Sequence, residues 1–326
     1  MQAVESTGEC CDLAAGKKIV IALGGNAILQ PSQRGSFEEQ LSNVQATADQ
    51  IAELAAQGHE IVVTHGNGPQ VGAILIQNEA GRMQVPSMPL DACGAESQGL
   101  IGYMLQQCLA RALSRKNIDR PVVTVVTQMV VSQNDPAFSN PTKPVGPFYD
   151  QSWAEKRMAE NGEKWIEDAG RGWRRVVPSP DPVQIVERGA IIRLVEGGVL
   201  VVANGGGGIP VVHRDGDIRG VEAVIDKDLG AERLAHDVGA NILMILTDVP
   251  RVAINYHTPQ QQDLCRVTLA EIQSYQAAGH FKAGSMGPKV EACRRFVSNG
   301  GDAAIIASLQ QVVDAIHGQA GTWIVK

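Results

Sequence analysis

The sequence predicts an α/β protein, a three-layer α/β/α sandwich around a mainly parallel central sheet with a small protruding subdomain. Three observations predict it. Short β-branched runs alternate with stretches of helical period, three of those runs end in glycine loops, and one central segment breaks the alternation with prolines and tryptophans.

Each element follows from its own residues. Lys17–Leu23 (KKIVIAL) is a β-branched run stopped by Gly24 and Gly25, as a buried parallel strand is. From Ser36 to Gln57 apolar residues recur every three to four positions, with Ser36 as cap, Glu39 three residues later and Gly58 as stop, so this is an amphipathic helix. Glu60–Thr64 is the second strand, completing a βαβ unit. Helices are then expected near Pro69–Glu79 and Asp91–Arg115, and a strand over Pro121–Thr127. A helix over about Pro182–Glu196 and a strand over Val199–Ala203 follow. The remainder reads as helix Lys227–Val238, strand Ile242–Thr247, helices near Leu269–Ala278 and Pro288–Asn299, and strand Ala303–Ala307.

Residues 132–180 interrupt this rhythm. They are rich in proline, hold three of the four tryptophans and include charged stretches such as AEKRMAENGEKWIEDAG. Structureless loops of this length are uncommon, so the segment is expected to be a protruding lid subdomain. Residues 1–16 are acidic and lack the basic and apolar regions of a secretory signal, and are expected to be a flexible extension.

Composition narrows the function. The 326 residues carry a formal charge of −7, which argues against a nucleic-acid partner and makes any anionic ligand dependent on local cations. No apolar run approaches the roughly 20 residues of a membrane span. The six cysteines show neither CxxC nor metal-ligand spacing, the pattern of reduced thiols in the cytoplasm.

Chemistry concentrates at strand ends, where open parallel sheets bind ligands. ALGGNA (Ala22–Ala27), THGNGP (Thr64–Pro69) and ANGGGGIP (Ala203–Pro210) each follow a predicted strand. Any one of them alone is as well explained by a turn that needs glycine. Together they favour an anion site lined by backbone N–H groups. GGGGIP fits neither GxGxxG, since Pro210 takes the third glycine's place, nor the Walker A pattern, so no standard nucleotide fingerprint explains it.

Cations stand where such a site needs them. VIDKDLG puts Lys227 and Asp228 at a strand-to-helix junction, and GSMGPKV puts Lys289 at the head of another helix. A lysine there opposes the helix dipole unless an anion is bound. Asp228 is either a helix cap or the carboxylate that holds two lysines in place. Lys143, in NPTKPVGPF, is stiffened by prolines within the protruding segment, where a lid residue completes a site on closure.

With LGGNA, THGNGPQVG, TQMVVSQNDPAF, NPTKPVGPFY, EDAGRGWRRVVPSP, GGGGIPVV, VEAVIDKDL, LTDV and GHFKAGSMGPKV in this order, residues 17–326 resemble the carbamate kinases of the amino acid kinase superfamily. The resemblance implies reversible phosphoryl transfer between ATP and carbamate, giving ADP and carbamoyl phosphate, with Mg2+ and no covalent intermediate. Its implied use is ATP formation from carbamoyl phosphate in catabolism, such as arginine breakdown, by a cytoplasmic homodimer.

The resemblance also assigns residues. Gly24, Gly25, Asn26, Gly66 and Asn67 would surround the acceptor and the transferring phosphoryl group, and Lys143 would reach in from the lid. Lys227 and Lys289 would bind phosphates, organised by Asp228. Gly205, Gly206, Gly207, Asp248, Val249, Tyr256 and Met286 would bind nucleotide, and no protein metal ligand is assigned. TQMVVSQNDPAF departs from the acidic TQVEVDxxDPAF common in the family, around Val131 and Ser132. His65 is expected to order its loop by hydrogen bonding, because transfer to an anionic acceptor calls for no proton. The alternatives are another small-carboxylate kinase of the superfamily and a silent nucleotide-binding protein.

Overall fold

Alternation along one strand sets up the whole molecule. In the computed structural model, which describes residues 16–168, 170–282 and 285–326, the strand Lys18–Leu23 is buried on both faces. Ile19, Ile21 and Leu23 pack on one side with helices Phe37–Ala56 and Leu90–Arg115. Val20 and Ala22 pack on the other with helices Lys227–Asp237 and Met286–Ser298. Each of the larger side chains stabilises the fold by about 1.5–3 kcal/mol through burial. The expected extension, with Cys10 and Cys11, lies outside the described residues apart from Gly16.

The main sheet has eight strands in the order Arg266–Thr268, Thr322–Val325, Ala303–Ser308, Ile242–Thr247, Lys18–Leu23, Glu60–His65, Leu200–Val202 and Val122–Thr124. Neighbours pair parallel except Ala303–Ser308 with Thr322–Val325. The layered architecture expected from the alternating pattern is therefore present. Because Lys18–Leu23, Glu60–His65 and Leu200–Val202 are parallel neighbours, their three glycine loops emerge side by side.

The first long helix forms as its residues require. Ser36 Oγ accepts from the Glu39 backbone N–H, and the Ser36 N–H donates to Glu39 Oε2, closing a capping box.

Two expected elements divide differently. The strand expected over Pro121–Thr127 ends at Thr124, and Gln128–Val131 joins a second sheet with Pro182–Ile185, Ile209–Arg214 and Asp217–Gly220. The helix expected from Pro182 begins only at Arg188. Ile185 is buried opposite Met129, and Glu187 Oε2 accepts from the Gln128 N–H, so cross-strand pairing holds this stretch extended. Val131, in the stretch that departs from the family pattern, is buried in the same sheet.

Within 132–180, strands Lys143–Tyr149, Trp173–Val177 and Lys164–Glu167 form a third sheet with helix Gln151–Asn161 beside it. The aromatic residues explain how so small a unit finds a core. Tyr149 stacks on Trp153 at 5.4 Å and meets the edge of Trp165 at 5.5 Å. Ion pairs tie the unit to the rest of the chain, Arg157 to Glu79 at 3.7 Å and Arg175 to Glu222 at 2.7 Å. Among the described residues no helix is long and apolar enough to cross a membrane.

One close approach joins fold to site. Gly230, in the first turns of helix Lys227–Asp237, lies so near Gly207 that a Cβ would fall 2.7 Å from the Gly207 Cα. Gly230→Ala should destabilise the protein by about 1–3 kcal/mol through overpacking. Thermal denaturation measures this, and an unchanged midpoint would show that the helix moves away freely.

Candidate functional site

A cavity of about 350 Å³ opens where the three glycine loops end, lined by Gly25, Gly66, Asn67, Gly205 and Gly206 among others. Its charged wall comes from three separate places in the chain. Lys227 and Asp228 begin one helix, Lys289 lies in the first turn of another, and Lys143 begins the first strand of the third sheet.

The carboxylate of Asp228 is 4% exposed and accepts from Lys227 Nζ at 2.5 Å and from Lys289 Nζ at 3.1 Å. Burial alone would raise this carboxyl, but the two ammonium groups outweigh it and hold it below its ordinary range. Of the two roles open to Asp228, the structure shows the bridging one. Capping falls to Asp226, whose Oδ1 accepts from the Asp228 N–H at 2.9 Å. Its other oxygen, Oδ2, accepts from Lys143 Nζ at 2.8 Å.

The glycine loop between Asn204 and Ile209 is demanded by its neighbours. At Gly206, φ is +68°, and a Cβ would lie 2.2 Å from the Asn67 amide nitrogen. At Gly207, φ is +95°, and a Cβ would meet the Ile225 carbonyl at 2.9 Å. Any side chain here would push apart the loops bearing Asn67 and Asp226.

Residues 17–308 match the amino acid kinase family. The chain belongs to that family. It is 56% identical over 313 residues to carbamate kinase of Pyrococcus furiosus, covering 95% of this chain and 99% of that one. Against carbamate kinase of Thermococcus kodakarensis the identity is 55% with the same coverage. A solved carbamate kinase from Giardia lamblia bound to AMP-PNP superposes with a TM-score of 0.92 at 48% identity, covering 96% of this chain and all of that one.

Within this amino acid kinase fold, the expected site residues fall into two groups. Gly25, Gly66, Asn67, Lys143, Gly205, Gly206, Lys227, Asp228 and Lys289 line the cavity. Gly24, Asn26, Gly207, Asp248, Val249, Tyr256 and Met286 do not. Gly24 donates its N–H to the Leu246 carbonyl, and Asn26 Nδ2 donates to Asp248 Oδ2 at 2.5 Å, which ties the first loop to LTDV. Met286 begins its helix one residue beyond the lining Ser285. Tyr256 is exposed, with its ring centroid 4.0 Å from that of His257.

Sequence reasoning missed Asp226, although it precedes Lys227 and aspartate is a preferred helix cap. It also missed Gln98, a buried amide that donates to the carbonyls of Thr127 and Gly205 and accepts from the Thr127 N–H. No sequence signal marks that residue, because its partners lie 29 and 107 positions away. Arg174, which also lines the cavity, was hidden in the charged run of the third sheet.

His65 orders its loop as expected. Its Nδ1–H donates to the Gly66 carbonyl at 2.9 Å, and its ring is buried. Burial lowers its pKa to about 4, the Gly66 hydrogen bond opposes that, and nearby Lys227 adds to it. The ring is therefore neutral at ordinary pH. The unfolded chain binds a proton here below about pH 6.5 while the folded chain does not until about pH 4. Stability from this group is thus complete above about pH 6.5 and is lost as pH falls toward 4, a difference on the order of 3 kcal/mol. His65→Asn, which keeps a donor at the Nδ1 position, should flatten that part of the stability profile measured by denaturant unfolding. An unaltered profile would locate the acid sensitivity elsewhere.

Proposed function

We propose that the chain transfers a phosphoryl group reversibly between ATP and carbamate, an ATP:carbamate phosphotransferase (EC 2.7.2.2). The observation that carries this reading is the set of three lysines at one glycine-lined cavity, brought there from three elements and tied by two aspartates. The carbamate kinase relatives at 55% and 56% identity support it.

The chemistry suits the groups present. In the direction of ATP synthesis, a β-phosphate oxygen of ADP attacks the phosphorus of carbamoyl phosphate, and the bond from phosphorus to the carbamate oxygen breaks. Carbamate leaves as an anion, so no proton moves and no protein nucleophile is needed. What remains is to align two anions and neutralise their charge, which lysines and backbone N–H groups do.

On this reading Gly24, Gly25, Asn26, Gly66 and Asn67 surround the carbamate and the transferring phosphoryl group. Lys227 and Lys289 take nucleotide phosphates beside Gly205, Gly206 and Gly207. Asp248, Val249, Tyr256 and Met286 form the outer nucleotide side. Residues 17–326 act as one catalytic domain, and 132–180 act as its lid, carrying Lys143.

Mg2+ enters with the nucleotide. Among the described residues no group of three or more His, Cys, Asp or Glu side chains could hold a metal, and Asp226 and Asp228 are committed to lysines. Phosphate oxygens and water would then supply most of its ligands, as Mg2+ prefers, and the ion would screen phosphate charge. The enzyme works in the cytoplasm as a homodimer. Exposed Leu100 and Tyr103 on one helix, with Phe37 stacked on Tyr103 at 6.4 Å, offer an apolar face for that contact.

The test is ATP formation from ADP and carbamoyl phosphate with Mg2+, with acetyl phosphate as competing donor. Carbamoyl phosphate should be strongly preferred. Lys143→Ala should lower turnover by about 10² or more without lowering the thermal midpoint, the usual cost of one preorganised charge donor. Preference for acetyl phosphate would give the site to another small carboxylate, and activity with neither donor would leave only nucleotide binding.

A further inference from the structure

The inference rests on the phosphoryl-transfer reading and concerns a residue that sequence reasoning passed over. We propose that Asp226 is a positioning residue that seats the Lys143 ammonium in the active site and so couples the lid to the helix bearing Lys227 and Asp228.

The two oxygens of Asp226 face different parts of the protein. Oδ1 caps helix Lys227–Asp237 through the Asp228 N–H at 2.9 Å, which fixes the carboxylate's orientation from the main domain. Oδ2, pointing the other way, receives Lys143 Nζ at 2.8 Å from the first residue of the third sheet. The Asp226 side chain is 14% exposed and that of Lys143 36%, so the acceptor is enclosed while the donor reaches in from a wetter position.

Lysine is a flexible point charge, and ordering it costs rotamer entropy that a fixed partner offsets. Prolines on the backbone at 141 and 144 stiffen the chain around Lys143 but leave its four side-chain torsions free. Among the residues described, the group that selects its reach is the Asp226 carboxylate. A one-residue step along the same turn leads to Lys227, and a second to Asp228. Lid and phosphate-binding lysines are thereby referred to a single helix start.

Asp226→Asn separates seating from capping. Asparagine caps as well as aspartate, so its Oδ1 retains the bond from the Asp228 N–H. Its Nδ2 then faces Lys143, donor against donor, and the seat is lost. We expect kcat for ATP formation to fall about tenfold or more, because small misplacement of a reacting group costs rates of that order. The KM for ADP and the thermal midpoint should hold. In a Lys143→Ala background the same substitution should add no further loss.

A second readout does not depend on turnover. An amine-acylating reagent, followed by mass spectrometry of the Lys143 peptide, should label Lys143 several times faster in the Asp226→Asn protein than in the unaltered one. Equal labelling would overturn the seating role, as would equal losses of kcat in the presence and absence of Lys143. A wild-type chain without activity but with this labelling difference would contradict phosphoryl transfer and leave the seating of Lys143 standing.

Discussion

The arrangement depends on one buried carboxylate. Asp228 stands between two helices that are far apart in sequence and neutralises a lysine from each. Without it, Lys227 and Lys289 would repel one another across a partly buried space. With it, both ammonium groups are tied to one carboxylate at the cavity wall as a fixed pair. Desolvation offsets much of what a buried ion cluster gains, so the cluster adds little to the fold and fits the phosphate-binding role proposed for the lysine pair.

Backbone proximity is the complementary constraint. The loops after Leu23, His65 and Val202 lie side by side because their strands are parallel neighbours. They come close enough to share a site only where side chains are absent. Gly205 would drive a Cβ into the His65 ring, Gly206 into Asn67, and Gly207 into the carbonyls that precede Lys227. Gly205, Gly206 and Gly207 therefore let His65, Asn67 and Asp226 lie against one strand end. The polar groups offered to a ligand follow from that packing.

Much of this was legible in the sequence. The short β-branched runs in KKIVIAL and EIVVT gave buried parallel strands, and the Ser36 and Glu39 pair gave a helix start that the structure reproduces. The three lysines stood out because their positions, two at helix heads and one among prolines, are poor choices for idle surface charge. Other features depended on partners remote in the chain. Pro182–Ile185 falls within the helix expected to run to Glu196 but is held extended by its strand pairing with Met129 and Val130, residues remote in the chain. Gln98 looks like any helix glutamine until Thr127 and Gly205 are placed beside it. Asp226 was readable as a cap, yet its second oxygen acquires meaning only when the third sheet brings Lys143 to it.

The most direct measurement of the central claim is the rate of ATP formation from ADP and carbamoyl phosphate by the Asp228→Asn protein, with folding checked by circular dichroism. Asparagine keeps the volume but removes the charge that holds the lysine pair. The account predicts a folded protein whose turnover is lower by about 10² or more, the scale of losing one preorganised electrostatic contact. A folded protein turning over at nearly the wild-type rate would contradict it.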